Sequence, residues 1–135
     1  MSLAKLEGAK AADRLEPLLQ EKVATVRGEA AAALLPFRQD LAGAVLRAIM
    51  RSPDPGLRSS VALALGQSAN TAALPYLLEL VRDELPRPRI VAVRYIGHLG
   101  NRNNLAVLKA SLSDPDNAVQ VTAAGAIGRI IAEGK

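Results

Sequence analysis

The sequence predicts an all-α protein, a right-handed solenoid of about four two-helix repeats. Two motifs that recur together predict this fold, because self-similarity at a fixed period is typical of repeat architectures. The first is a residue pair that opens an apolar segment every 31 residues: Val26-Arg27, Leu57-Arg58, Pro88-Arg89 and Val119-Gln120. The second is a leucine with the same spacing between these segments: Leu15, Leu46, Leu77 and Leu108. No stretch alternates between apolar and polar residues, so we expect no strands.

Each period is predicted to contain two helices. In the first helix an apolar residue follows the repeated leucine after four positions, as Leu19 follows Leu15, so that both lie on one helix face. The second helix is predicted from the apolar segment after the repeated pair, as in residues 30–34. The expected helices span residues 4–20 and 24–37, 40–51 and 56–67, 71–82 and 88–99, and 103–112 and 117–131.

Turn residues set the limits of these helices. Proline-containing segments end one helix and begin the next at residues 52–56, 85–88 and 114–117. Asn70 and Asn103 supply side-chain oxygens that can cap helix-start amides. Pro17 and Pro75 should bend their helices unless a helix begins there.

The organisation is predicted to be one repeat domain over residues 1–135, with repeats at about 3–37, 38–68, 69–100 and 101–135. A terminal repeat normally presents a polar outer face, yet residues 126–131 are as apolar as an internal helix. Residues 3–8 resemble the tail of an earlier second helix. We therefore expect either a segment of a longer array or end-on docking, including end-to-end self-association.

Composition excludes several classes of protein and site. Hydrophobic residues make up 50% of the 135 residues, which excludes a disordered chain. The absence of cysteine excludes disulfides and thiol chemistry. No apolar run reaches the ~18 residues of a membrane span, and the first residues lack a signal-peptide pattern. We expect a cytoplasmic protein that does not bind membranes.

The charged residues near the turns are predicted to be structural. Arg27, Arg58 and Arg89 lie at helix starts, where they can bond turn carbonyls and acids of the neighbouring repeat. The acids near the turns are expected to cap helices and to favour the positive helix end: Asp54, Asp83, Glu84, Asp114 and Asp116. His98 is the single histidine, so no histidine pair and no catalytic triad is available. We expect no catalytic, cofactor or metal residues.

Residues 54–66, which read Asp-Pro-Gly-Leu-Arg-Ser-Ser-Val-Ala-Leu-Ala-Leu-Gly, and residues 73–78 together resemble a HEAT repeat. The pattern is most similar to the short repeats of phycobilisome-lyase-like HEAT proteins, and the resemblance covers nearly the whole chain. It implies that the second helix of each repeat lines a concave face. Three copies depart from it: the first lacks Asp-Pro, the third has Leu85-Pro86 there, and the fourth has Gln120 in place of arginine.

The predicted function is a non-enzymatic scaffold that presents this concave face to another protein. Taken with the repeat offset, the face becomes basic toward the third and fourth repeats, which suits an acidic or helical segment of a partner. The candidate partner-binding residues are Ser60, Leu63, Gln67, Val91, Arg94, His98, Thr122 and Arg129.

Two alternatives stay open at this point. The resemblance to phycobilisome-lyase repeats implies an accessory of bilin or cofactor attachment, for which Arg94, Tyr95 and His98 are the available polar groups. Binding to the phosphate backbone of nucleic acids is the second alternative. It is disfavoured because the net charge is only +4, the bases are spread along the chain, and three aromatic side chains offer little base stacking.

Overall fold

The computed structural model describes residues 2–135, which form eight α-helices and no strand. Three short 3₁₀ helices, Glu16–Gln20, Thr71–Ala73 and Arg102–Asn104, adjoin the first helices of repeats one, three and four. The predicted all-α class is confirmed. The α-helices are α1 (Leu3–Leu15), α2 (Ala24–Leu34), α3 (Gln39–Met50), α4 (Pro55–Gln67), α5 (Leu74–Leu80), α6 (Pro86–Leu99), α7 (Leu105–Ser111) and α8 (Asn117–Glu133).

The helices form two layers. The second helices α2, α4, α6 and α8 pack against one another in sequence, whereas the first helices contact mainly the second helices beside them. The closely packed second helices are therefore the inner layer of the solenoid. Leucine and isoleucine fill the space between the layers, and the core side chains with the least exposure are Leu34, Leu35, Leu46, Leu65, Leu77, Ile96, Leu108 and Ile130.

Most of the predicted caps and breaks are confirmed. The Asp54 carboxylate accepts a hydrogen bond from Gly56 N at 2.9 Å, and the Asp116 carboxylate accepts one from Ala118 N at 2.8 Å. Asn70 caps its 3₁₀ helix in the same way. In the fourth repeat the cap is Asn101 rather than Asn103, because Asn103 already lies inside the 3₁₀ helix and donates its amide to Asn101.

The two internal prolines start helices instead of bending them. Pro17 lies in the first turn of the 3₁₀ helix Glu16–Gln20, and Pro75 lies in the first turn of α5. At these positions a proline lacks only an amide that the helix does not use. The single helix predicted over 4–20 is therefore an α-helix followed by a 3₁₀ helix.

Close packing in the inner layer depends on glycine at one register position. A Cβ on Gly66 would overlap the Tyr95 ring on α6, and a Cβ on Gly97 would lie 2.6 Å from Ala126 Cβ on α8. Leu35 occupies this register position in the first repeat, where the facing register position holds Ala64. The size of one residue thus complements that of the residue facing it in the next repeat.

A ladder of polar contacts joins the repeats along the turns. Arg58 binds Asp83 through two hydrogen bonds, Nε to Oδ2 at 2.7 Å and Nη2 to Oδ1 at 3.1 Å. Arg89 binds Asp114 in the same manner, with both distances at 2.9 Å. The structural interpretation of these arginines is confirmed, and we call the two pairs the arginine ladder.

The ladder also holds the turn backbone. Arg58 Nη1 donates to Ser52 O at 2.7 Å, Arg89 Nη1 donates to Asp83 O at 2.9 Å, and Gln120 Nε2 donates to Asp114 O at 2.7 Å. Glutamine therefore preserves the bond to the carbonyl where it replaces arginine. Asp83 and Asp114 serve as the partners of the arginines, and their predicted role as N-caps is corrected.

The ladder carboxylates are predicted to make stability fall in acid. Burial raises the pKa of Asp83, but the hydrogen bonds from Arg58 and from Leu85 N outweigh it, so this pKa lies below its ordinary value of 3.8. The pKa of Asp114 is lowered by Arg89 against the same effect of burial. A lowered pKa in the folded state stabilises the fold above the ordinary value, and this contribution is lost as pH falls through the lower value.

We therefore expect the urea midpoint to be nearly constant from about pH 7 to 5 and to fall below about pH 4. Asp83→Asn should flatten this fall, because one of the shifted carboxyls is removed. Asp13→Asn is the matched control, since exposed Asp13 makes no ion pair within residues 2–135. An equal acid slope in all three proteins would contradict the assignment.

Candidate functional site

The candidate residues all lie on the inner-layer helices and remain accessible. Ser60, Leu63 and Gln67 are exposed on α4, and Arg94 and His98 are exposed on α6. Val91 and Thr122 are half-buried, while Arg129 is exposed on α8. Each falls on the inner layer because the 31-residue offset returns the same helix face in each repeat.

A groove between α2 and α4 brings three of them together. Its volume is about 320 Å³, and Ser60, Leu63 and Gln67 lie along its α4 side. Alanine and glycine on α2, with Ile49 and Val61 below, make most of its wall apolar. We call this space the first groove.

Glu29 supplies the one carboxylate that lines the first groove. Its side chain is exposed and makes no ion pair within the residues that the structure describes. The nearby Arg27 does not neutralise it by an ion pair, because Arg27 Nη1 is bound to the turn carbonyls of Glu21 and Lys22. An apolar groove with one unpaired carboxylate favours a ligand that is both aliphatic and cationic.

A second groove of about 410 Å³ adjoins the first and shares Thr25, Leu57, Ser60 and Leu63 with it. Its remaining lining residues are Asp54, Gly56, Ser59, Arg87 and Val91. The buried Ser59 hydroxyl has no hydrogen-bond partner within residues 2–135, whereas the Ser60 hydroxyl donates to Gly56 O at 2.9 Å. The two grooves together form one trough across α2, α4 and α6.

Arg94, His98, Thr122 and Arg129 line neither groove. Burial lowers the pKa of His98, and the neighbouring charges of Arg129, Lys135 and Arg94 lower it further against the opposite effect of Glu133. His98 is therefore neutral near pH 7 inside a cationic neighbourhood. We call Arg94, His98 and Arg129 the basic strip.

Sequence reasoning missed part of the trough wall. Thr25, Gly56 and Arg87 line the second groove and occupy one register position of the repeat, 31 residues apart. This position lies four residues before Ser60 in its repeat, so it shares the predicted helix face. Applying the offset to the first turn of the second helices would have found them.

A metal centre is not assembled by the described residues. No group of three or more His, Cys, Asp or Glu side chains in residues 2–135 comes together to hold a metal ion. Within the same range, no helix is long and apolar enough to cross a membrane.

No model of a known protein family matches the chain. A curated relative, the deoxyhypusine hydroxylase of Emericella nidulans, is 45% identical over 67 residues, which cover 48% of this chain and 20% of the relative. Both relatives found carry the name of an enzyme. The second is the solved structure of human deoxyhypusine hydroxylase in complex with glycerol, with a TM-score of 0.73 and 24% identity over 98% of this chain and 47% of the human chain.

These relatives confirm the fold and correct the functional predictions. The human structure has the same helical architecture across nearly the whole chain, in agreement with a HEAT-like solenoid. The predicted type of repeat, the phycobilisome-lyase type, is wrong, and with it the bilin alternative. The prediction of a non-enzymatic scaffold is contradicted as well, because both relatives are hydroxylases by name. The chain spans a fifth of the fungal relative and about half of the human one.

Proposed function

We propose that this solenoid works in hydroxylation of the deoxyhypusine hydroxylase kind, and that its trough holds the side chain to be modified. The similarity of 45% over 67 residues to a named hydroxylase is the observation that carries the proposal. The likeness in fold to the human enzyme over 98% of the chain supports it.

The chemistry of the first groove suits such a side chain. Deoxyhypusine is a lysine extended by a 4-aminobutyl group, so it has two aliphatic runs and two amines that are protonated near neutral pH. The alanine-rich wall of the first groove can cover the aliphatic part. Glu29 can pair with an ammonium group, and Ser60 and Gln67 offer further oxygen acceptors.

The basic strip suits the chain that flanks the modified residue. Arg94 and Arg129 are exposed on neighbouring helices of the inner layer, and no other acid than Glu133 pairs with Arg129 within residues 2–135. Acidic residues beside the modified lysine would be attracted to this strip while the lysine itself lies at Glu29. Thr122 and His98 complete the same surface.

Oxygen activation needs donors that the described residues do not provide. Oxygenases that insert oxygen into carbon–hydrogen bonds commonly use iron held by two histidines and a carboxylate, whereas this chain has one histidine and no cysteine. The described residues do not fit such a metal. The role proposed for this chain is therefore to bind and orient the substrate.

Binding of a labelled peptide tests the proposal. We expect a peptide with one deoxyhypusine and acidic flanks to bind more tightly than the same peptide with lysine, as measured by fluorescence anisotropy. Glu29→Lys should weaken binding of the deoxyhypusine peptide by about tenfold, and Glu29→Gln by about threefold, because Glu29 is exposed to solvent.

Glu7→Lys is the matched control, since it makes the same change of charge on exposed α1, away from the trough. It should leave the affinity unchanged. Neutral flanks should weaken binding to the wild type but not to the Arg94→Glu, Arg129→Glu variant. Equal affinities for the lysine and deoxyhypusine peptides would overturn the proposal.

A further inference from the structure

The outward stripe of α8 is exposed where every earlier repeat buries it. Ala124 is exposed, whereas its register equivalents Ala31, Ala62 and Val93 are completely buried. On the same stripe, Val121 is 73% exposed and Ile131 is 53% exposed. Positions 121, 124, 128 and 131 follow a helical spacing of three and four residues, so they share one face. We call these four residues the end patch.

The end patch contains an unfilled copy of the contact that joins the repeats. Gly66 receives the Tyr95 ring of the next repeat, and Gly97 receives Ala126. Gly128 stands one period later, and a Cβ there would meet no atom within 4 Å. The end patch therefore continues an established interface of the molecule and presents it to solvent.

The other end of the solenoid does not offer a complementary surface. There α1 covers α2, with Gly8 of α1 packed against the Phe37 ring. Apart from Leu3 and Leu6, the exposed surface of α1 is rich in charge, with Lys5, Glu7, Lys10, Asp13 and Arg14. A head-to-tail stack would bury these charges against the apolar end patch, which is unfavourable.

A twofold pairing avoids this cost. Only two residues of α8 are charged, Arg129 and Glu133, and their side chains pair within the helix at 3.6 Å. Two end patches can thus meet without placing unmatched charges in the contact. The small residues Ala124 and Gly128 allow the two helix axes to approach closely.

We propose that a second copy of this chain covers the end patch, with α8 against α8 about a twofold axis. Isologous dimers of this kind are the commonest closed assemblies of soluble proteins. The resulting pair would also match the relative in size, because one copy corresponds to 47% of the human hydroxylase chain. The pairing does not depend on the substrate proposed above.

Sedimentation of the full chain tests the pairing. We expect a concentration-dependent dimer between about 1 μM and several hundred μM, the range of a small apolar interface. Val121→Glu should weaken dimerisation at least tenfold without loss of helical signal, because Val121 makes few contacts within its own chain. Val23→Glu, an exposed valine near the opposite end, is the matched control and should leave the dimer unchanged.

Cross-linking distinguishes the twofold pairing from other arrangements. The chain has no cysteine, so Gly128→Cys should form a disulfide-linked dimer on mild oxidation, whereas Ala33→Cys on exposed α2 should not. A wild-type chain that stays monomeric throughout this range would overturn the proposal. Open chains longer than a dimer, without cross-linking at position 128, would indicate head-to-tail stacking and overturn it equally.

Discussion

Gly66→Leu is expected to destabilise the protein by about 3 kcal/mol, although leucine is a far better helix former than glycine. The Tyr95 ring lies where the first carbon of any side chain at position 66 would stand. Insertion of leucine must therefore push α4 away from α6, which opens the inner layer. The urea midpoint and slope measure this loss.

The loss should be recovered in part when Tyr95 is also replaced. Gly66→Leu together with Tyr95→Ala recreates the large and small pair that Leu35 and Ala64 form at this register, so we expect a favourable coupling of about 2 kcal/mol. Gly125→Leu is the control: it adds the same side chain where no atom lies within 4 Å, and it should be neutral or stabilising. Additive losses in the double variant would contradict the size-matching explanation.

Asp83→Ala should cost about 3 kcal/mol, which would be among the largest effects of any polar substitution in the chain. The Arg58 and Asp83 side chains are only 11% and 6% exposed. Removal of the carboxylate leaves the guanidinium buried without its counter-charge. It also removes the acceptor of Leu85 N, which lies 3.0 Å from Asp83 Oδ1. Thermal unfolding followed by circular dichroism measures the loss.

Glu16→Ala provides the contrast for this prediction. Glu16 pairs with Arg38 at 3.5 Å, but these side chains are 46% and 45% exposed, so solvent screens the pair. The expected loss is below about 0.5 kcal/mol. Similar losses for Asp83→Ala and Glu16→Ala would show that burial does not govern the strength of these ion pairs.

The functional predictions failed because the motifs that the sequence displays most strongly are structural. The Leu-Arg pairs and the glycines serve the contacts between repeats, as the arginine ladder and the Gly66–Tyr95 contact show. Such residues indicate the fold and carry no information on activity. The relationship to a hydroxylase emerged from similarity over 67 residues and from the fold, not from a catalytic motif.

The candidate surface was predicted more successfully than its chemistry. The repeat offset placed all eight candidate residues on the inner layer and left them accessible, but it did not separate them into a trough and a basic strip. Ser60 and Leu63 line both grooves, whereas Arg94 and His98 line neither. The binding role of these residues stays a prediction, which the peptide experiment addresses.

The sequence by itself determined the helical class, the period of 31 residues and the face of each helix that turns inward. These features follow from local spacing, because a helix repeats its faces every three or four residues and a turn needs particular residues. Tertiary structure alone decided that Asp83 pairs with Arg58 across 25 positions, that Gly66 makes room for Tyr95, and that Glu29 stays unpaired above an apolar groove. Those outcomes depend on how closely neighbouring repeats approach, and that distance is set by the packing of many side chains together.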